Sequence, residues 1–144
     1  MRQQVRPQTP RNTIAIEEKL KKWEELGIVR RVTSKYWSQV HVVNKENKAP
    51  RICIDLRALN SLVEIFQYPI PDIKRTLAKL NNHKLYCTID LTDAYQQVTM
   101  YPDSIEFTAF RTDEAIFVMN RLGFGHSGQS HIFRKKWLLA YLII

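Results

Sequence analysis

The chain is poor in the residues that build stapled or all-thiolate sites. Its 144 residues include two cysteines, Cys53 and Cys87. That excludes a disulfide framework or an all-cysteine zinc centre, and a reducing, intracellular setting is expected. Four glycines and six prolines are too few for a collagen-like or low-complexity chain. No apolar run approaches the roughly 20 residues needed to cross a bilayer. The longest, 137–144, closes the chain, and no membrane partner is expected. Acids are also scarce: 14 Asp and Glu face 22 Lys and Arg, a formal net charge of +8. That surplus suits a polyanionic partner, and nucleic acid is the usual one. A merely solvated basic surface would read the same way. The apolar fraction of 44% excludes a wholly disordered chain and fits one globular domain or part of a larger one.

Residues 1–11 contain Arg2, Arg6 and Arg11 with two prolines and no apolar core. They read as a flexible basic arm and not as a secretory signal. Asn12 or Thr13 can cap a helix over 12–26, with Glu17 and Glu18 in its first turn. Ile16, Leu20, Trp23 and Leu26 recur on one face, and Gly27 suits the position just past the end. Residues 28–32 and 40–43 read as strands, and 44–50 as polar turn. Over 51–57 the pattern alternates, with Ile52, Ile54 and Leu56 on one side and Arg51, Cys53, Asp55 and Arg57 on the other. This gives a β-hairpin with one apolar and one basic face. Residues 68–71, Tyr-Pro-Ile-Pro, form a stiff extended linker. Asp72 can cap a helix to Leu80 on an Ile73, Leu77, Leu80 stripe. Residues 85–89 read as a strand ending at Asp90, 93–98 as a short helical turn, and 107–110 and 116–122 as strands around a turn at 112–114. Three of the four glycines lie in 123–128, which marks a sharply bent or ligand-approaching loop. The mixture is α+β without a regular βαβ alternation.

Asp90 after an apolar strand suits a hard cation, although an aspartate there is also an ordinary turn or cap residue. Lys45, Lys48 and Arg51 flank a hairpin tip and can close on a triphosphate, with Lys as a point charge and Arg as a two-pronged donor. They can equally be a solvated charged tip. Cys53, Cys87, His41, His83, His126 and His131 lack paired short spacing, so a zinc site is not expected. Ser127 and Ser130 lack a nucleophile-elbow setting, and the glycine loop lacks the Gly-Lys-Ser/Thr ending of a P-loop.

The order of segments resembles the fingers and palm of reverse transcriptases from gypsy-like retrotransposons and retroviruses, over about 16–133. The pieces are 26–29 Leu-Gly-Ile-Val, Trp37-Ser38, 40–45, 51–60 Arg-Ile-Cys-Ile-Asp-Leu-Arg-Ala-Leu-Asn, 68–71, 88–97 Thr-Ile-Asp-Leu-Thr-Asp-Ala-Tyr-Gln-Gln, 107–110 Phe-Thr-Ala-Phe and 122–125 Leu-Gly-Phe-Gly. The resemblance implies a partial right-hand polymerase fold over 12–144, fingers hairpin plus incomplete palm. It implies RNA-directed DNA polymerase chemistry by two-metal nucleotidyl transfer. Asp90 would be the first catalytic aspartate and would bind both Mg²⁺ ions, with the Leu91 carbonyl as a further ligand. Lys45 and Arg51 would meet the incoming triphosphate. Asp93, Ala94 and Tyr95 would line the nucleotide, with Tyr95 under the sugar, excluding a 2′-hydroxyl. Phe124 and Gly125 would pack on nucleotide and template base. Asp55, Arg57 and Asn60 would lie near the template strand. The implied partners are an RNA or DNA template-primer and dNTP, in the cytoplasm or a virus-like particle.

The sequence also departs from the family pattern. Gln39 stands for Pro, Gln96 for His, Ala115 for Gly and Ser130 for Pro, and Arg134 replaces a usual Gln. Ala115 is expected to strain a turn that wants positive φ, and Ser130 to loosen the helix start. No acid follows Glu114, so the family's Tyr-x-Asp-Asp hairpin is missing from these residues. A fragment truncated before that hairpin, inactive alone and poorly soluble, is therefore expected. The alternatives are a subunit completed by another chain that supplies the missing carboxylates, and a non-catalytic nucleic-acid-binding module.

Overall fold

The computed structural model describes residues 2–4, 6–45, 48–69, 72–81, 84–88 and 90–141, with backbone alone at 45, 48–49, 73, 76 and 138–141. Helix α1 runs Pro10–Glu25, two residues earlier than the capping residues suggest. The cap is Thr9, whose hydroxyl accepts from the Asn12 N–H at 3.4 Å, and Pro10 opens the first turn. Glu17 and Glu18 therefore fall beyond that turn. Ile16, Leu20 and Trp23 are buried, but Leu26 is the C-cap and is 58% exposed. Gly27 at φ 65° closes the helix. Its N–H donates to Glu24 O and the Ile28 N–H to Trp23 O, the paired bonds of a Schellman end.

That turn feeds β1 (Val29–Val32). The hairpin is β2 (Ser38–Lys45) and β3 (Lys48–Ile54). Its strands extend into the expected 44–50 turn, because Lys45 pairs with Lys48 in the ladder. Opposite residues share a face. Val40 with Ile54 and Val42 with Ile52 face the core, while His41 with Cys53 and Val43 with Arg51 face away. The five strands order as β1-β5-β4-β2-β3, where β4 is Phe110–Arg111 and β5 is Ile116–Met119. All neighbours are antiparallel except β2 and β4, which run parallel. Residues of α1, the sheet and Leu56 share one core, with Phe110 at 0% exposure stacked on Phe117 at 5.6 Å. The expected α+β class holds.

Three expectations fail here. Of the expected 107–110 strand only Phe110 is extended, in the two-residue β4; Phe107 and Thr108 belong to a 3₁₀ turn, Glu106–Thr108, that follows α4 (Pro102–Ile105). The Thr108 hydroxyl accepts the Met119 N–H at 2.8 Å, which replaces ladder bonds with a side-chain bond. Ala115 carries no positive φ; the turn is closed by Thr112, whose backbone and hydroxyl both bond Ala115. Residues 84–88 form no strand, and Leu85 is 91% exposed. They join none of the described strands; Ile89 lies outside the described residues. The helix after Asp72 is α3 (Ile73–Ala78), capped by the Asp72 carboxylate at 3.0 Å from Arg75 N. Leu77 and Leu80 on that stripe are exposed. Of 68–71, Pro71 and Ile70 lie outside the described residues, as does His83. A short helix α2 (Arg57–Asn60) follows β3, and α5 (Gln129–Tyr141) ends the described chain.

Candidate nucleotide and template site

The end of β3 places the first cluster. Asp55 is 8% exposed although it lies on the face away from the aliphatic residues. It is tolerated there because Arg57 grips both its oxygens, Nε to Oδ1 at 2.9 Å and Nη2 to Oδ2 at 2.7 Å. These bonds hold the Asp55 carboxyl well below the usual carboxylate range against the opposing effect of burial, and raise Arg57 in turn. His41 stands 3.7 Å away, and Gln39 Nε2 donates to Oδ2 at 3.4 Å. The basic arm reaches this cluster. Gln3 Nε2 donates to Asp55 O, and Gln3 Oε1 accepts the Gln39 N–H at 2.8 Å. A proline at 39 has no such N–H. Arg2 and Arg111 flank the Trp37 ring, with Arg2 at 5.2 Å and Arg111 at 5.3 Å. An open pocket of about 550 Å³ lies between Gln3, Gln4, Arg6, Gln39, Asp55 and Arg57.

The second cluster surrounds the glycine loop. Tyr95 sits in a 3₁₀ turn (Ala94–Gln97) that follows Asp93, whose φ of 47° is left-handed. Its ring meets Phe124 and Phe133 edge-on, both at 5.4 Å, and its hydroxyl lies 3.3 Å from Ser130 Oγ. Ser130 thus gives Tyr95 a hydrogen-bond partner. Gly125 at φ 97° allows a bend that other residues resist. Its N–H donates to Gln129 Oε1 and its carbonyl accepts from Asn60 Nδ2 at 2.7 Å. The His126 ring accepts the Gly128 N–H, and burial lowers its pKa. His131 Nδ1 meets the Tyr68 backbone at 2.9 Å, tying α5 to the extended linker.

The structure thus joins Tyr95 to Phe124, Asn60 to Gly125 and Asp55 to Arg57. Arg51 is exposed on the outer face of the hairpin, opposite Val43; the Lys45 side chain lies outside the described residues. Asp90 is exposed, with no hydrogen bond or ion pair among the described residues, and Leu91 is half-buried. No three His, Cys, Asp or Glu groups gather to hold a metal among the described residues. Asp90 with one carbonyl is therefore too small a donor set for a divalent centre. A separate cleft of about 500 Å³ between α1 and the β4–β5 turn, floored by Ile16, Leu20 and Phe117, contains none of the candidate residues. Gln3 and Gln129 are invisible in the sequence, and so is the role of Ser130 as partner of Tyr95, because their partners lie far off in sequence or carry no motif of their own.

The family model for reverse transcriptase (RNA-dependent DNA polymerase) matches residues 43–138. The chain belongs to the reverse transcriptase family. Its relatives include the retrovirus-related Pol polyproteins of the Drosophila melanogaster transposons opus, 34% identical over 125 residues, and gypsy, 34% identical over 115. The opus match covers 83% of this chain and 12% of the polyprotein; the gypsy match covers 76% and 11%. Native prototype foamy virus protease-reverse transcriptase superposes with a TM-score of 0.86 at 20% identity, over 99% of this chain and 19% of that one. The foamy viral enzyme in complex with an RNA/DNA hybrid gives 0.81 at 22%, over 99% and 19%. The chain is thus a stretch of retroelement reverse transcriptase sequence with a partial polymerase fold.

Proposed function

We propose that this chain is the nucleotide- and template-facing part of an RNA-directed DNA polymerase, and that the 144-residue polypeptide grips primed template without copying it. The observation that carries this is the meeting of Tyr95 and Phe124 at 5.4 Å beside the loop that Asn60 holds. Residues 29 and 65 apart in sequence converge where the family's nucleotide pocket would lie. Arg51 and Lys45 are the triphosphate contacts, with Asp93, Ala94, Tyr95, Phe124 and Gly125 around sugar and base. Asp55, Arg57 and Asn60 face the template. Related structures carry double-stranded DNA or an RNA/DNA hybrid, which supports template-primer as the partner here.

Mg²⁺ is the cofactor proposed for the complete site, where it would neutralise the triphosphate charge. Asp90 and the Leu91 carbonyl supply one edge of such a site, and the described residues do not complete it. That shortfall favours a second reading, a binding module that keeps the grip without catalysis. The experiment is fluorescence anisotropy of a labelled RNA/DNA hybrid with a 5′ template overhang, titrated with salt. Affinity is expected to fall with rising salt and to fall further in Arg57→Ala. Absence of binding, or binding indifferent to salt, would overturn both readings.

A further inference from the structure

Asn60 acts in two directions at once. Its Nδ2 donates to Gly125 O at 2.7 Å, and its Oδ1 accepts the Ser127 N–H at 2.9 Å. Both polar atoms of one side chain thus clasp one loop, 65 and 67 residues away in sequence. Asn60 is also fixed at its root. It ends α2, its own N–H donates to Leu56 O at 2.8 Å, and Leu56 is buried. The same helical turn starts at Arg57, whose N–H and guanidinium hold Asp55. Gly125 also faces the end of β3, where a Cβ added at 125 would meet Ile54 O at 3.4 Å.

From this geometry we infer that Asn60 is a positioning residue, which couples the template-facing turn at Asp55 and Arg57 to the nucleotide-facing loop at Phe124 and Gly125. The inference rests on the polymerase reading for the names of the two sides, but the clasp itself does not. A shift of α2 when nucleic acid engages Arg57 is passed to the loop, because both hydrogen bonds sit on one side chain of that helix. Phe124 and its partner Tyr95 then follow the template side. The neutral amide is required: one atom must donate and the other accept, which neither a carboxylate nor an aliphatic side chain can do.

The test is hydrogen–deuterium exchange of the 144-residue chain, free and with an RNA/DNA hybrid carrying a 5′ template overhang. Segment 122–129 is the readout, β5 the fold control, and hybrid affinity is measured by anisotropy in parallel. In the free chain, Asn60→Ala is expected to speed exchange of 122–129 by about tenfold, the scale of lost hydrogen bonds, with β5 unchanged. With hybrid added until anisotropy shows each chain saturated, the segment is expected to slow in the parent chain and to stay unaltered in Asn60→Ala. Should Asn60→Ala also open β5, the isosteric Asn60→Asp replaces it. The substituted carboxylate keeps the acceptor for Ser127 and sets an oxygen against Gly125 O, so 122–129 alone is expected to loosen. Unchanged free-chain exchange in these variants, or a loop that answers the hybrid as the parent does, would overturn the coupling. If the parent binds no hybrid, the polymerase reading fails, and the free-chain comparison still decides whether the clasp exists.

Discussion

The hairpin half of the chain and the segment from 62 to 90 both carry large apolar side chains, with opposite fates. In the first, Val40, Ile52, Ile54, Phe110 and Phe117 are all buried against α1. In the second, Leu62, Phe66, Leu77, Leu85 and Tyr86 are exposed, from 56% for Leu77 to 91% for Leu85. Apolar patterning raises the chance of a strand or helix, but a neighbour must supply ladder partners and cover. The hairpin finds both within the chain. Residues 84–88 join no described strand, and Leu85 and Tyr86 are exposed.

The largest test of this contrast is a pair of substitutions. Phe110→Ala is expected to cost about 3–5 kcal/mol in urea unfolding, as loss of a filled core site does. Leu85→Ala is expected to change stability by less than about 0.5 kcal/mol. Equal effects would erase the distinction. Limited proteolysis sharpens it, because cleavage is expected first within 62–90 and only later within 108–122. The exposed apolar face should also make the chain associate as its concentration rises, readable by light scattering.

A smaller effect belongs to the packed half alone. Gly27→Ala forces an L side chain into left-handed backbone and is expected to cost about 1 kcal/mol. A separate effect is one of pH, with two windows. Burial lowers the His126 pKa, so the unfolded chain binds that proton first. Stability should therefore begin to fall as pH drops past about 6.5, and His126→Gln should remove this component. Asp55 is also lowered, by Arg57, so its contribution is intact above about 4 and is lost on further acidification. Urea midpoints across pH would show whether the two steps separate.

Much of the packed half was legible in the sequence. Period-two residues 51–57 and the Ile16, Leu20, Trp23 stripe declare their buried faces, and Gly27 declares its turn. The cap slipped because Thr9 and Pro10 together outcompete Asn12. Asp55 was legible as an outward residue on the hairpin but not as a buried ion pair, since its partner is set by the turn into α2. The 107–110 segment misled because β-favouring residues there are held by the Thr108 hydroxyl bond to Met119. The candidate site residues were proposed by motif, whereas the clasp of Asn60 on the glycine loop depends on a contact 65 residues away that no local pattern encodes.

The most direct test of the whole account is primer extension on an RNA template with Mg²⁺ and dNTP, using the 144-residue polypeptide. Hybrid binding without nucleotide incorporation is expected, because Asp90 belongs to no group of three or more His, Cys, Asp or Glu side chains among the described residues. Incorporation that disappears in Asp90→Asn would contradict it.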